Sequence, residues 1–563
     1  MGHISRRSLL VGGTGAAAVA VLTPSLVASR RDAALAETAE RAITTTGTTL
    51  EAVAAPSGTS GYRRLVAGPG YALVVREDLA AAQAGRDDRR EGIASIVHFT
   101  DLHITDAQSP ARFEFLVEYN GSAFRPHEAL GSQGASRLVA RVNELAAGPF
   151  TGRAFDCVVS TGDNSDNNES IELEWFLTVL NGGEVQANTG STTLWEGVQS
   201  SGDTLYWNPE LPVADRYKNA GFPELPGYFG RAIAPHTSPG LNTPWYSVFG
   251  NHDDDVSGTL ANVRGSWNSL YTGDVKFTGF ASSTANAALK AAISSPAASL
   301  DLSLLLALPT IKTDWIVTPD ARRVPFTKTE YVRKHLEAAH TGPGPVGHGF
   351  QADDVDAGRS YYSWQLAPGV VGISMDSTNA AGLSDGSLRD SQWLWLKEQL
   401  TAHADQYVVL FSHHTSGTME MTQPDPEHPL ELRHSGSELV DLLHEHPNVV
   451  AWVNGHTHVN AITPQPGDTP QQSFWEINTA SHTDFPQQAR IVELVKNGDG
   501  TLSLFTTLIE SDAPYQAPYD DGSQTSLASL YRELSFNDLG YDATRAGTAA
   551  DRNAELLLVD PFA

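Results

Sequence analysis

A single cysteine, Cys157, stands in a chain of 563 residues. One thiol excludes an intramolecular disulfide and any site built from several cysteines. Its neighbours are apolar and β-branched, so Cys157 reads as a small core residue and not as a nucleophile. Cationic side chains are also scarce: 37 Lys and Arg face 66 Asp and Glu, for a net charge of −29. Such a surface repels nucleic acid and anionic membranes, so no nucleic-acid partner and no stable membrane partner is expected. A phosphate-cradling P-loop is absent, as is the His-x-His-x-Asp-His pattern of one dinuclear hydrolase fold. Any binding of phosphate must therefore rest on something other than a basic patch or a glycine loop.

What the chain does hold is five short stretches in a fixed order: Asp101-Leu102-His103, Gly162-Asp163-Asn164, Gly250-Asn251-His252-Asp253, Ser412-His413-His414 and Gly455-His456-Thr457-His458. Each follows an apolar run that reads as a buried strand, and open α/β sheets place ligands at strand ends. Asp101 and His103 are i and i+2, as are His456 and His458. On an extended strand each pair shares a face and reaches one ion. Together the stretches supply seven metal-ligating side chains, enough for two adjacent divalent cations. Two such cations can activate a water and clamp a phosphoryl group for in-line displacement. Taken singly the motifs are weak, since Gly-Asp-Asn alone is commonly a turn. Their combination points to hydrolysis of phosphate esters.

The order of these motifs resembles the calcineurin-like metallophosphoesterase superfamily, over a core of roughly residues 94–511. With its N-terminal segment and the stretch from Phe474 to Gln488, the chain is also similar to exported actinobacterial metallophosphoesterases. The resemblance implies a two-sheet α/β–β/α sandwich. It implies that Asp101, His103 and His458 hold one metal, that Asn251, His413 and His456 hold the second, and that Asp163 bridges them. A metal-bridging hydroxide would attack, and His252 would face the scissile phosphate as general acid or electrostatic stabiliser. Asp166 stands three residues after Asp163, where the Ser/Thr phosphatases carry an Asp that pairs with the catalytic His. The next residue here is Asn167 rather than Arg. Purple acid phosphatases place a ligand Tyr at that offset, and its absence argues against an Fe(III)–tyrosinate centre. His414 is an alternative to His413 as ligand. The donors are nitrogen and oxygen without thiolate, which suits Mn, Fe or Zn and does not choose among them.

Residues 1–36 read as an export signal. Ser5-Arg6-Arg7-Ser8-Leu9-Leu10 is a twin-arginine signature, Leu9–Val27 is apolar, and Ala34-Leu35-Ala36 offers a cleavage site. The twin-arginine machinery is the expected partner, and an extracellular or cell-envelope location the expected destination. An uncleaved membrane anchor is the rival reading. Residues 37–60 read as a linker, 61–93 as an edge segment with a strand at Tyr71–Arg76, and 512–563 as a C-terminal appendage. Helices are expected at Ala135–Ala147, Glu169–Leu180 and Asp390–Ala402, and a hairpin at Arg490–Val495 and Thr501–Ile509.

Two insertions, 182–243 and 256–358, flank Asn251 and His252. Either they cap the crevice or their aromatic residues pack a satellite core. An Ala-rich helical stretch is expected at 284–307. Asp253, His414, His482 and Asp376 are candidates for second-shell or substrate contacts. For Asp376 the turn cap is the preferred reading, and His482 and Asp484 either line the pocket or form a turn. The expected function is hydrolysis of a small-molecule or lipid phosphomonoester or phosphodiester. The rivals are a sphingomyelinase-like headgroup phosphodiesterase and a non-catalytic metal-binding protein on the same fold.

Overall fold

The computed structural model describes residues 44–118, 120–262, 265, 267–293, 312–381 and 384–563. The expected export signal at 1–36 lies outside them, as does the start of the expected linker and most of the Ala-rich stretch beyond Ile293. Thirteen strands make the two larger sheets. In chain order they are β1 (Val74–Arg76), β2 (Glu91–Phe99), β3 (Cys157–Thr161), β4 (Trp245–Val248), β5 (Tyr362–Ala367), β6 (Val370–Ser374), β7 (Tyr407–Phe411), β8 (Val449–Asn454), β9 (Ala461–Gln465), β10 (Phe474–Asn478), β11 (Gln488–Lys496), β12 (Thr501–Glu510) and β13 (Ala554–Val559). The seven-stranded sheet runs β1-β13-β12-β11-β2-β3-β4, and the six-stranded sheet β9-β10-β8-β7-β6-β5.

Alternation along the strands divides the core. Ile96 in β2 and Val159 in β3 join Val409, Phe411, Ala451 and Trp475 of the other sheet in one apolar cluster, so the two sheets share a core. Cys157 is buried in that cluster, and burial pushes its thiol pKa well up. The intervening Val97 and Val158 pack with Leu138, Val142, Phe176 and Leu180 of helices Gly131–Leu145 and Ser170–Asn181. On the second sheet, Val408 and Leu410 face Leu396, Leu439 and Leu443 of helices Asp390–Ala402 and Gly436–His444. Strands buried on both faces read as continuous apolar runs, as these do. Among the described residues no helix is long and apolar enough to cross a membrane.

Strands β2, β3 and β4 are mutually parallel, and so are β6, β7, β8 and β10. Their C-terminal ends carry all five motifs, which is how a parallel arrangement gathers residues distant in sequence.

Two of the expected segments differ from expectation, and the insertion 182–243 takes one of its two readings. Residues 512–563 are no appendage: β13 pairs with β12 and with β1 inside the seven-stranded sheet, and helix Gln524–Phe536 buries Leu527, Leu530 and Leu534. The Glu555-Leu-Leu-Leu-Val pattern is strand-like, but nothing local names its partner. The linker includes a strand, Ala52–Pro56, paired antiparallel with Leu65–Pro69. The insertion 182–243 forms a satellite core, where Trp207, Tyr217 and Tyr228 pack on the same C-terminal helix.

Candidate metal centre

The seven expected ligands converge. On one side, Asp101 Oδ1 lies 3.2 Å from His458 Nε2 and 3.9 Å from His103 Nε2. The two imidazole nitrogens are 3.3 Å apart. On the other side, Asn251 Oδ1 lies 2.8 Å from His413 Nε2 and 3.1 Å from His456 Nδ1. Asp163 stands between: its Oδ2 is 3.3 Å from His413 Nε2 and 3.7 Å from His103 Nε2. Its Oδ1 accepts from the backbone N–H of His252 at 2.8 Å.

The i, i+2 pairs do not share a strand face. Strand β2 ends at Phe99 and β8 at Asn454, so the pairs lie just beyond them. There Asp101, His103, His456 and His458 adopt left-handed φ values of 52°, 44°, 70° and 58°, and Asp163 one of 49°. Such conformations cost of order 1–3 kcal/mol each and concentrate at functional sites. They are held by neighbouring loops. Asp101 N–H donates to Gly162 C=O at 3.1 Å, His103 N–H to Asp163 C=O at 2.9 Å, and Gly455 N–H to His413 C=O at 2.9 Å. The glycines of the motifs serve this packing. A side chain on Gly250 would collide with the Asp163 backbone, and one on Gly455 with Thr100 and Asp101.

Three of the four imidazoles, those of His103, His458 and His413, are aimed by their other nitrogen, the usual device for fixing a ligand tautomer. His103 Nδ1 meets Asp166 Oδ1 at 3.0 Å, and His458 Nδ1 meets Asp484 Oδ2 at 2.6 Å. His413 Nδ1–H donates to Thr161 C=O at 2.8 Å, which leaves Nε2 as the donor toward a metal. Asn251 Nδ2 donates to Gly258 C=O at 2.9 Å, so its amide oxygen faces the histidines. His414 is turned away: Nε2–H donates to Ser384 C=O and Nδ1 accepts from Ser377, both at 2.8 Å. Of this double histidine it is therefore His413 that faces Asn251 and Asp163. Gly382-Leu-Ser-Asp-Gly386 matches a nucleophile-elbow pattern, but Ser384 lies outside every strand and helix, ahead of the strand Leu388–Arg389.

Other candidates take different places. The Asp166 carboxylate lies within 4.8 Å of a His252 ring nitrogen, but its hydrogen bond goes to His103. It faces His103 and pairs with Arg112 at 2.8 Å, while its backbone carbonyl accepts from His252 Nδ1 at 2.5 Å. Asp253 clamps the loops, accepting from Gly250 N–H at 3.0 Å and Ser165 N–H at 2.9 Å. Burial and nearby Asp163 raise its carboxyl to about 7. Asp376 caps its turn through Thr378 N–H at 3.0 Å and binds Lys328 at 3.0 Å. The His482 ring is buried behind the centre, and only its backbone N–H touches the Asp101 loop. Asp484 does line the cavity.

Three arginines had no sequence signal. Arg112 and Arg125 are buried, Arg125 holds Asp484 at 2.8 Å, and Arg545 reaches Asp484 at 3.0 Å from the C-terminal segment.

The donor set fits divalent cations. Asp101 Oδ1 is buried and makes no hydrogen bond, yet it is aimed at the imidazoles. Burial pushes His103 down to about 4 and His456 to about 3, so both offer neutral rings. Burial opposes charge on His413 too, but Asp163 raises it to about 9, the response of an anionic cradle awaiting positive charge. A cavity of about 420 Å³ opens over the centre, lined by His103, Asp163, Asn251, His252, His456 and His458 along with Arg125 and Arg545.

No family model matches the chain. A probable glycerophosphodiester phosphodiesterase, GpdQ of Arcobacter nitrofigilis, is 34% identical over 86 residues, which is 15% of this chain and 30% of that relative. The chain thus matches less than a third of that relative's length. A dimetal phosphatase from Danio rerio overlays with a TM-score of 0.35 at 10% identity, covering 75% of this chain and all of that one. GAP50, the anchor in the inner membrane complex of Plasmodium, overlays with a TM-score of 0.27 at 9% identity, covering 78% of this chain and 95% of that one. At these values neither overlay bears on what this chain does.

Proposed function

We propose that this chain is an exported, dinuclear metal-dependent phosphoesterase on the two-sheet sandwich of the calcineurin-like metallophosphoesterases, hydrolysing phosphomonoesters or phosphodiesters. One observation carries the reading: two sets of nitrogen and oxygen donors meet at Asp163, beneath an open cavity. Divalent cations held there would supply Lewis acidity to phosphoryl oxygens and to water. Asp101, His103 and His458 would hold one, Asn251, His413 and His456 the other, and Asp163 both. His252 is on the cavity wall with Nδ1 engaged by the Asp166 carbonyl, leaving Nε2 to give a proton to a leaving oxygen. Arg125 and Arg545 also line the cavity, and their guanidinium groups favour an anionic substrate in a protein of net charge −29. Export by the twin-arginine route is supported by Arg6-Arg7 ahead of Leu9–Val27.

The test is metal analysis of the purified protein, followed by assay with Mn, Zn or Fe on p-nitrophenyl phosphate, bis-p-nitrophenyl phosphate and a choline phospholipid. Two metals per chain and turnover of any ester support the reading. Selective turnover of the phospholipid would favour a headgroup phosphodiesterase. Two bound metals with no turnover at all would favour a metal-binding protein, and no bound metal would end both.

A further inference from the structure

A second, smaller chamber adjoins the cavity. It holds about 40 Å³ and is walled by Phe113, Leu116, Ala123 and Leu260. The two spaces share Asn120, Ser122, His252, Ser257 and Thr259, so His252 stands on the boundary between them. The chamber's charged wall residues, Arg112 and Asp166, are bound to each other at 2.8 Å. Its remaining wall belongs to an apolar cluster with Val256, Trp267 and Phe277, in which Phe113 is 2% and Leu260 8% exposed. The main cavity is also lined by Arg125 and Arg545, both paired with Asp484. The site therefore joins a main cavity lined by arginines to an apolar recess, and the residue placed to protonate a leaving group lines both.

We infer that this chamber takes the hydrocarbon portion of the leaving alcohol, which makes Leu116, Ala123 and Leu260 specificity-determining residues. The inference rests on the phosphoesterase reading above. The leaving oxygen must approach His252 to receive its proton, and whatever is bonded to that oxygen then projects past the ring. On that side the chamber is the adjoining space. Its volume accommodates about three non-hydrogen atoms, since one water-sized group needs roughly 10–15 Å³ by this measure. The preferred substrates are thus esters of short or terminally apolar alcohols, with anionic or polar groups directed toward Arg125 and Arg545.

The experiment uses the metal-loaded full chain and alkyl phosphates from methyl to pentyl, each as the monoester and as its methyl diester, with alcohol release measured. kcat/KM is expected to rise roughly fourfold per methylene, the yield of burying a CH₂ group, and to level off after about three carbons. Leu260→Trp, which fills the chamber, should flatten that rise. Ala123→Leu, at a half-buried wall position, should do the same if Leu260→Trp fails to fold. In parallel, dissociation constants of the matching alkylphosphonates are measured by calorimetry in the same proteins. Chain-length-dependent binding abolished by Leu260→Trp, without turnover of any ester, would keep the chamber and discard the phosphoesterase reading. Turnover that ignores chain length, or the same rise in wild type and in both variants, would overturn the inference, as would phosphonate binding that never varies with length.

Discussion

The two sides of the centre are built from similar ligands but held by different chemistry. On the Asp101 side, both imidazoles lean on carboxylates: Asp166 behind His103 and Asp484 behind His458. Those carboxylates need neutralising, and Arg112, Arg125 and Arg545 surround them. On the Asn251 side the supports are neutral: the Thr161 carbonyl behind His413, the Gly258 carbonyl behind Asn251, and His414 with its serine contacts. A carboxylate partner makes imidazole a stronger donor, whereas a carbonyl only orients it. The charged side draws its parts from across the chain, including Arg545 of the C-terminal segment. The neutral side is assembled largely by the backbone of adjacent strand ends.

Asp163→Asn removes the one group common to both sides. It is expected to abolish turnover and to reduce bound metal below two per chain, read by elemental analysis. A variant with two metals and normal turnover would take Asp163 out of the bridge. His252→Ala removes no expected ligand from either side, so both metals should stay. Turnover should fall by roughly two to four orders of magnitude, as for an acid–base group. The fall should shrink for nitrophenyl esters, whose leaving group needs little protonation. An equal loss on all esters would recast His252 as a stabiliser of charge.

Asp484→Asn tests the charged side directly. It is expected to weaken the tighter competition with a chelator by about 10- to 100-fold. His414→Gln, on the neutral side, should cost less than tenfold in the same titration. The reverse order would break the contrast.

A pH series isolates a histidine belonging to neither side. His98 lies in β2 between the hydroxyls of Thr161 and Thr479, and burial holds its pKa at about 3. The unfolded chain protonates histidine near pH 6.5. Between those values the unfolded state binds the extra proton, so stability present above pH 6.5 is lost as the pH falls. The slope from this residue is about 1.4 kcal/mol per pH unit. His98→Gln should flatten the urea-unfolding midpoint between pH 6.5 and 4.5, and unchanged slopes would show that His98 is charged in the folded protein. The smallest effect on activity is expected from Trp207→Phe. Trp207 is fully buried and donates to Pro223 C=O at 3.2 Å, in a core whose insertion puts no residue on the cavity wall. It should cost about 1–3 kcal/mol of stability and leave KM unchanged for bulky and small esters alike. A rise in KM for bulky esters only would return the 182–243 insertion to the role of a cap.

Much of the centre was legible because ligand chemistry is local. Gly-Asn-His-Asp and Gly-His-x-His carry both the donors and the glycines that let neighbouring loops touch, and the preceding runs mark the strands. The helix at Asp390–Ala402 agrees with its pattern residue for residue. Less legible was anything decided by a distant partner. Asp166 sits at a spacing that suggests a partner for His252, yet its carboxylate turns to His103 because Arg112 waits there. The aromatics of 182–243 look alike whether they grip a substrate or fill a core, and the helix Gln524–Phe536 against which they pack made them core.

The sequence by itself determined the donor types, their order along the chain and the strands that present them, since these follow from side-chain chemistry and from hydrophobic runs of strand length. Tertiary structure alone decided which nitrogen of each ring faces the centre, which of His413 and His414 is inward, and which arginines balance the buried carboxylates. It also placed the apolar chamber beside His252, with Phe113 and Leu116 from one segment and Leu260 from another. Orientation, pairing and enclosed space depend on groups brought together from far apart, and no local pattern encodes the distance between them.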